Sequence, residues 1–199
     1  MEIVVVTGNR KKLKEIKEIL AGLPISITSL ADFPSFPEPT ETGKTFAENA
    51  EIKARYYAKK LNRSVLAEDS GLEVEFLKGK PGVSSARFAG PAKRDVENIA
   101  KVLKLMEGVP MEKRRAVFTS VFCLITKEGE RFLFEGKKEG FITLEPKGNN
   151  GFGYDPIFLV PELKKTYAQL SFKRKNLISH RRIALEKVKK FLVLKYNPV

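Results

Sequence analysis

The sequence predicts a mixed α/β fold, and three observations carry that prediction. Residues Glu2–Thr7 are a short β-branched apolar run of the kind that fills a buried strand. Directly after them Leu13, Ile16, Ile19 and Leu20 recur at helical spacing among lysines and glutamates. Strand-like and helix-like stretches then interleave without strict alternation, and no repeat, low-complexity linker or break in composition interrupts them. A single domain over residues 1–199 is expected, since a chain of this length can bury one sizeable core.

Taken in order, Thr7-Gly8-Asn9 ends the first strand and the helix after it runs to about Gly22. Phe33–Thr42 holds three prolines and reads as a loop. Thr45-x-x-Glu48 is a capping box, after which Phe46, Ala50, Ala54, Tyr57 and Leu61 form one apolar stripe. That helix leads into the run Val65-Leu66-Ala67, which delivers Glu68 and Asp69 into Ser70-Gly71, read as a turn. Glu73–Leu77 alternates and predicts a second strand, followed by a Gly/Pro loop through Gly90. Val96, Ile99, Leu103 and Met106 mark a third helix. Ala116–Thr126 and Arg131–Phe134 read as strands about a turn at Lys127–Glu130, and Ile157–Val160 as another strand. Ser179 stands where it can cap a last helix carrying Ile183, Ala184, Val188, Phe191 and Leu192.

The 37 basic and 24 acidic residues leave a net charge of +13, which attracts polyanions: nucleic acid, an anionic membrane surface or phosphorylated small molecules. Cys123 is the only cysteine, so no intrachain disulfide forms, and its apolar neighbours predict a buried, inert thiol. No stretch reaches the roughly 20 apolar residues of a membrane helix, and the N-terminus lacks a basic region before its apolar run. A soluble cytoplasmic protein with no membrane partner is expected.

Four stretches carry chemistry. Thr7-Gly8-Asn9-Arg10-Lys11-Lys12 lies between a strand and a helix, where backbone N–H groups and a lysine suit an anion; a plain connector explains it equally well. Gly43-Lys44-Thr45 mimics the end of a P-loop but lacks the earlier glycine, where Glu38 stands, and the preceding strand, so that reading is rejected. Asn49 and Lys53, four apart on one helix face, read first as a solvated polar face. Gly148–Pro156 packs glycines, two aromatics and an aspartate into nine residues, which favours a ligand contact over a simple turn. Finally, Lys173–Lys195 holds nine basic residues and one acid, Glu186, as well as His180, the sole histidine. With no His/Cys cluster of zinc spacing, any metal would be a hard cation held by carboxylates and substrate phosphates.

Together and in this order, these pieces resemble the inosine/xanthosine triphosphate pyrophosphatase family. The resemblance rests on Thr-Gly-Asn-x-x-Lys at 7–12, Glu-x-Gly-x-Thr-Phe-x-Glu-Asn-Ala at 41–50 and Ala-Glu-Asp-Ser-Gly-Leu at 67–72. Pro-Gly-Val-x-Ser-Ala-Arg-Phe at 81–88, Gly-Phe-Gly-Tyr-Asp-Pro at 151–156 and Ser-His-Arg at 179–181 complete it. Glu68 departs from the pattern, since many members carry Asp there. The resemblance implies an elongated central mixed sheet flanked by helices, forming two lobes around a nucleotide-binding cleft, and a homodimer. It implies Mg²⁺, with Mn²⁺ as a substitute, and hydrolysis of ITP, dITP or XTP to the monophosphate and pyrophosphate. Carried onto this chain, Thr7, Gly8, Asn9, Arg10, Lys11 and Lys12 would wrap the triphosphate, joined by Lys53. Glu41 and Asp69 would hold the metal, Asp69 would take the proton of the attacking water, and Glu68 would share the catalytic work. Ser70 would contact substrate, Phe152, Gly153, Tyr154 and Asp155 would line the nucleotide site, and Lys175, His180 and Arg181 would meet the base.

Elementary chemistry agrees with that assignment. Inosine and xanthosine present a carbonyl at purine C6 where adenosine presents a donor, so donors from Arg181 and a protonated His180 would favour them. Two other readings compete: a Maf-like pyrophosphatase of pyrimidine or modified nucleotides, and a basic nucleic-acid-binding module. The Ser-His-Arg piece argues against the first. Glu41, Glu68 and Asp69 argue against the second, because carboxylates in a polyanion groove repel phosphate.

Overall fold

The computed structural model describes residues 2–23 and 25–196. Its seven strands are β1 (Glu2–Val6), β2 (Ser26–Ser29), β3 (Ser64–Val74), β4 (Arg115–Ile125), β5 (Arg131–Ile142), β6 (Phe158–Val160) and β7 (Lys165–Thr166). They form one sheet in the order β2-β1-β3-β4-β5-β6-β7. β1 pairs in parallel with both β2 and β3, whereas β6 pairs antiparallel with both β5 and β7. Five helices accompany the sheet: α1 (Arg10–Ile19), α2 (Phe46–Leu61), α3 (Asp95–Leu105), α4 (Phe172–Ile178) and α5 (His180–Tyr196). The mixed α/β class and the mixed sheet are those the sequence predicts.

The chain forms two compact units, Met1–Asp69, Ser120–Gly136 and Arg181–Val199 in one and Ser70–Thr119 and Lys137–His180 in the other. The chain passes from unit to unit within β3, β4 and β5 and at the start of α5, so no linker marks the division in the sequence. In the first unit Ile3, Val5, Leu66, Phe122, Leu124 and Phe134 of the strands pack with Ile16 and Ile19 of α1 and Leu185, Val188 and Leu192 of α5. This is the burial that the helical stripes of α1 and α5 require. In the second unit Leu72, Val74, Phe118, Ile142 and Phe158 pack with Ile99 and Val102 of α3, together with Tyr154 and Tyr167.

One expectation needs correcting at the centre of the fold. Ser70-Gly71 is not a turn, and Glu73–Leu77 is not a second strand: β3 runs unbroken from Ser64 to Val74, and only Glu75–Leu77 turns, as a 3₁₀ segment. Ser and Gly are poor strand formers in isolation, but β3 is already laid down by its pairing with β1 over Ser64–Ala67 and has β4 as its other neighbour, and sheet pairing overrides local preference. Leu72 and Val74, both fully buried, fix the far half of the strand. The remaining differences are of length. β5 continues past Phe134 to Ile142, and β2, β7 and α4 are too short for a periodicity to announce them.

Candidate active site

Because β3 continues through Glu68 and Asp69, strand alternation sends these adjacent carboxylates to opposite faces of the sheet. They are therefore not a like-charged pair sharing one turn. Glu68 is ion-paired with Lys12 of α1 and Arg181 of α5, and Asp69 with Lys53 of α2, while the Lys12 charge acts on Asp69 as well.

Glu68 shares its face with Leu66 and meets α1 and α5. Its Oε1 accepts from Ser120 Oγ at 2.7 Å and from Arg181 Nε at 2.9 Å, and its Oε2 lies 3.4 Å from Lys12 Nζ. Arg181 also donates to Glu15 of α1. The side chains of Arg181, Glu15 and Glu68 are almost wholly inaccessible. Glu15 and Glu68 thus set opposite charge against the buried Arg181, which burial of charge demands. Burial pushes the Lys12 ammonium below its ordinary range, and Glu68 works against that shift. For Arg181 burial pushes downward too, but Glu68 and Glu15 outweigh it and hold the guanidinium firmly protonated.

On the other face, Lys53 of α2 places Nζ 2.9 Å from Asp69 Oδ1 and 3.2 Å from Glu41 Oε1. Desolvation would lower the Lys53 pKa, but the two carboxylates more than offset it and raise it instead. The Asp69 carboxyl is raised above the usual aspartate range, chiefly by burial and further by Glu41, although Lys53 opposes both. Asp69 Oδ2 is buried and receives no hydrogen bond. Asn49, one turn before Lys53, is completely buried, so the expected solvated face of α2 is corrected: Asn49 holds the loop that carries Glu41, and Lys53 reaches Glu41 and Asp69.

Among the described residues, no three His, Cys, Asp or Glu side chains gather into a closed metal cage. Glu41 and Asp69 instead offer two hard oxygen donors that already converge on one positive charge, the Lys53 ammonium. Two carboxylates completed by waters and substrate phosphates suit Mg²⁺, so this donor set fits it.

The Thr7–Lys12 stretch is a built helix entry. Asn9 caps α1, its Oδ1 accepting from Lys11 N at 2.9 Å and Lys12 N at 3.2 Å, and Thr7 Oγ1 accepts from Asn9 N at 3.1 Å. Two of the backbone donors that the sequence offers to an anion are thus engaged by Asn9. Gly8, Asn9, Arg10 and Lys11 are exposed, whereas Lys12 turns in toward Glu68.

In the second unit, Asp155 Oδ2 accepts from Phe152 N at 2.9 Å and from Lys175 Nζ at 2.6 Å. Lys175 and Asp155 are both buried, and the ammonium lies 4.5 Å from the Phe152 ring centroid. Tyr154 sits in the core with its hydroxyl donating to Ser85 O at 2.8 Å, and burial pushes its phenol upward. Tyr154 and Asp155 thus anchor the loop, while Phe152 and Gly153 stay partly accessible. His180 is buried and stacks on Phe118, with centroids 4.7 Å apart and planes 8° from parallel. Ser70, partly buried, follows Asp69 in β3.

Three contributors escaped the sequence reading, and so did the partner of a fourth. Glu15 carried a signal, since it falls on the apolar face of α1, three residues after Lys12 and four before Ile19. Ser120 had none, being one small residue in an apolar strand. Asp95, whose Oδ2 accepts from Gly153 N at 2.7 Å, looked like an ordinary first-turn acid of α3. Asn49 was noticed, but its partner, the backbone of Gly43, could not be.

The family model described as the Ham1 family matches residues 3–191. A dITP/XTP pyrophosphatase from Thermoanaerobacter pseudethanolicus is 48% identical over 97% of each chain. One from Halalkalibacterium halodurans is 47% identical over 96% of this chain and 98% of its own. Among solved structures, a HAM1 protein from Coxiella burnetii superposes with a TM-score of 0.90 at 43% identity, covering 98% of this chain and 99% of its own. The Staphylococcus aureus Ham1 protein gives 0.88 at 43% identity, over 96% and 98%.

Proposed function

The chain belongs to the Ham1 family, and we propose that it hydrolyses the non-standard purine nucleoside triphosphates dITP, XTP and ITP to the monophosphate and pyrophosphate. Relatives that share nearly half their residues with it across almost its whole length are named for dITP and XTP. The observation in this chain that carries the reading is Asp69: a partly buried carboxylate tethered through the Lys53 ammonium to a second carboxylate, Glu41.

That arrangement divides the labour between the two adjacent acids. Glu68, with both oxygens turned to Ser120, Arg181 and Lys12, is suited to holding cations in place. Asp69, partly accessible where Glu68 is not, is the one available to take a water proton. Water adds to phosphorus, its proton passes to Asp69, and the α–β anhydride bond breaks with its electrons going to pyrophosphate. Lys12 and Lys53 face the charge that develops there, and Thr7 to Lys11 supply further polar contacts. Glu41 and Asp69 would hold Mg²⁺, or Mn²⁺ in its place. The metal supplies charge neutralisation on phosphate oxygens.

Ser70 is assigned to substrate, and Phe152, Gly153, Tyr154, Asp155, Lys175, His180 and Arg181 to the nucleoside. A base offering a C6 carbonyl suits the donors of Lys175, His180 and Arg181, whereas the adenine amino group meets them donor to donor. Among the described residues no helix is long and apolar enough to cross a membrane. We place the reaction in the cytoplasm, with the nucleotide pool, and in a homodimer, as the family resemblance implies.

The test is product identity. Phosphorus NMR of dITP incubated with the enzyme should show monophosphate and pyrophosphate in equal amounts, abolished by EDTA. Stepwise release of orthophosphate would refute the assignment.

A further inference from the structure

The loop that carries Glu41 has no secondary structure over residues 33–45, and three prolines keep it from joining either neighbour. Its end is fastened to the first turn of α2. Lys44 N and Thr45 N donate to Glu48 Oε2 at 2.6 and 3.3 Å, and Glu48 N donates back to Thr45 Oγ1 at 3.1 Å. These bonds are exposed, and water competes for them. The remaining fastening is different: Gly43 N donates to Asn49 Oδ1 at 2.8 Å, and Asn49 is 0% exposed.

Two features show that this contact is built rather than incidental. The Asn49 Nδ2 group is buried with no hydrogen-bond partner, so an apolar side chain would bury more cheaply unless the other end of the amide were needed. Gly43, for its part, tolerates no side chain, since a Cβ there would stand 2.6 Å from Asn49 Oδ1 and 2.7 Å from Glu48 Cβ. The backbone must come this close for the bond to form. One helical turn beyond Asn49, Lys53 reaches Glu41 itself, two residues before Gly43.

We propose that Asn49 is a positioning residue for the metal-binding carboxylate: it fixes Gly43 and thereby holds Glu41 opposite Asp69. The inference rests on the assignment of Glu41 and Asp69 to the metal. Partners one step behind a metal ligand typically alter affinity by about 10–100-fold when removed.

The experiment titrates Mn²⁺ by electron paramagnetic resonance against the full-length enzyme saturated with α,β-methylene dITP, alongside thermal unfolding. Asn49→Leu should keep or raise the melting temperature, because it removes the unpaired Nδ2, yet weaken Mn²⁺ by about ten-fold or more. Asn49→Asp, which retains the acceptor for Gly43, should recover most of that affinity. Glu41→Gln is the control on the underlying assignment. If it leaves Mn²⁺ binding unchanged, the metal assignment itself fails. If Glu41→Gln weakens binding while Asn49→Leu folds and binds as wild type, the positioning role is overturned. Should Asn49→Leu not fold, Gly43→Ala reads the same contact from the loop side: ten-fold weakening supports the role and wild-type affinity contradicts it.

Discussion

Lys53 and Asp69 form an ion pair, Nζ to Oδ1 at 2.9 Å, tighter than the 3.2 Å from the same ammonium to Glu41 Oε1. A difference in accessibility separates Asp69 from Glu68, its neighbour in sequence: the Glu68 side chain is 1% exposed and ion-paired to both Lys12 and Arg181, whereas that of Asp69 keeps 14% of its surface.

It predicts unequal consequences for the two acids. Asp69→Asn keeps size and packing but removes the proton acceptor, so kcat should fall by roughly 10²–10⁴-fold with little change in KM. Steady-state kinetics on dITP check this. An Asp69→Asn enzyme within ten-fold of wild type would show that the base lies elsewhere.

The Glu15–Arg181–Glu68 arrangement predicts a stability effect rather than a purely catalytic one. Arg181→Met removes the guanidinium that two buried carboxylates share, and should destabilise the fold by about 3–5 kcal/mol. Arg181→Lys should recover only part, because an ammonium cannot reproduce the guanidinium fork between two acids. Urea denaturation of both variants measures the difference. A loss under about 1 kcal/mol in Arg181→Met would mean the carboxylates find other partners.

How much of this was legible beforehand varies with the kind of signal. The helix over Phe46–Leu61 and its Thr45–Glu48 box could be read directly, because capping chemistry is local. The break after the first strand was equally local, the Asn9 side chain capping the start of α1. The Glu68-Asp69-Ser70-Gly71 stretch misled for the converse reason. Its residues favour a turn, and only pairing with strands distant in sequence keeps β3 straight. The basic content of Lys173–Lys195 suggested a solvated face, yet Lys175 and Arg181 are buried because Asp155, Glu15 and Glu68 reach them from far along the chain.

The loop of the second unit offers a third test. Gly151 has φ +79°, and a Cβ there would fall 1.9 Å from Asp155 Oδ2. Gly151→Ala must therefore displace Asp155 from Phe152 N and Lys175. An increase of about 10–100-fold in KM for dITP is expected, the scale of a misplacement near 1 Å. Unchanged KM would remove this loop from the nucleotide site.

Cys123 supplies a fourth. It is fully buried in β4, and burial pushes its thiol up to about 12. Thiolate is the reactive form, so the native protein should resist a disulfide reagent at neutral pH and react with one equivalent only after denaturation. Rapid reaction of the native protein would contradict the packing around β4.

The carboxylate and the deaminated purine triphosphate on which it works are both addressed by one assay. Pyrophosphate release would be followed from dITP, XTP, ITP, GTP and ATP, with Mg²⁺ and with EDTA, for wild type and Asp69→Asn. The predicted result is Mg²⁺-dependent release from the first three, weak on ATP and GTP and lost in Asp69→Asn. Equal rates on every base, or full activity in Asp69→Asn, would contradict it.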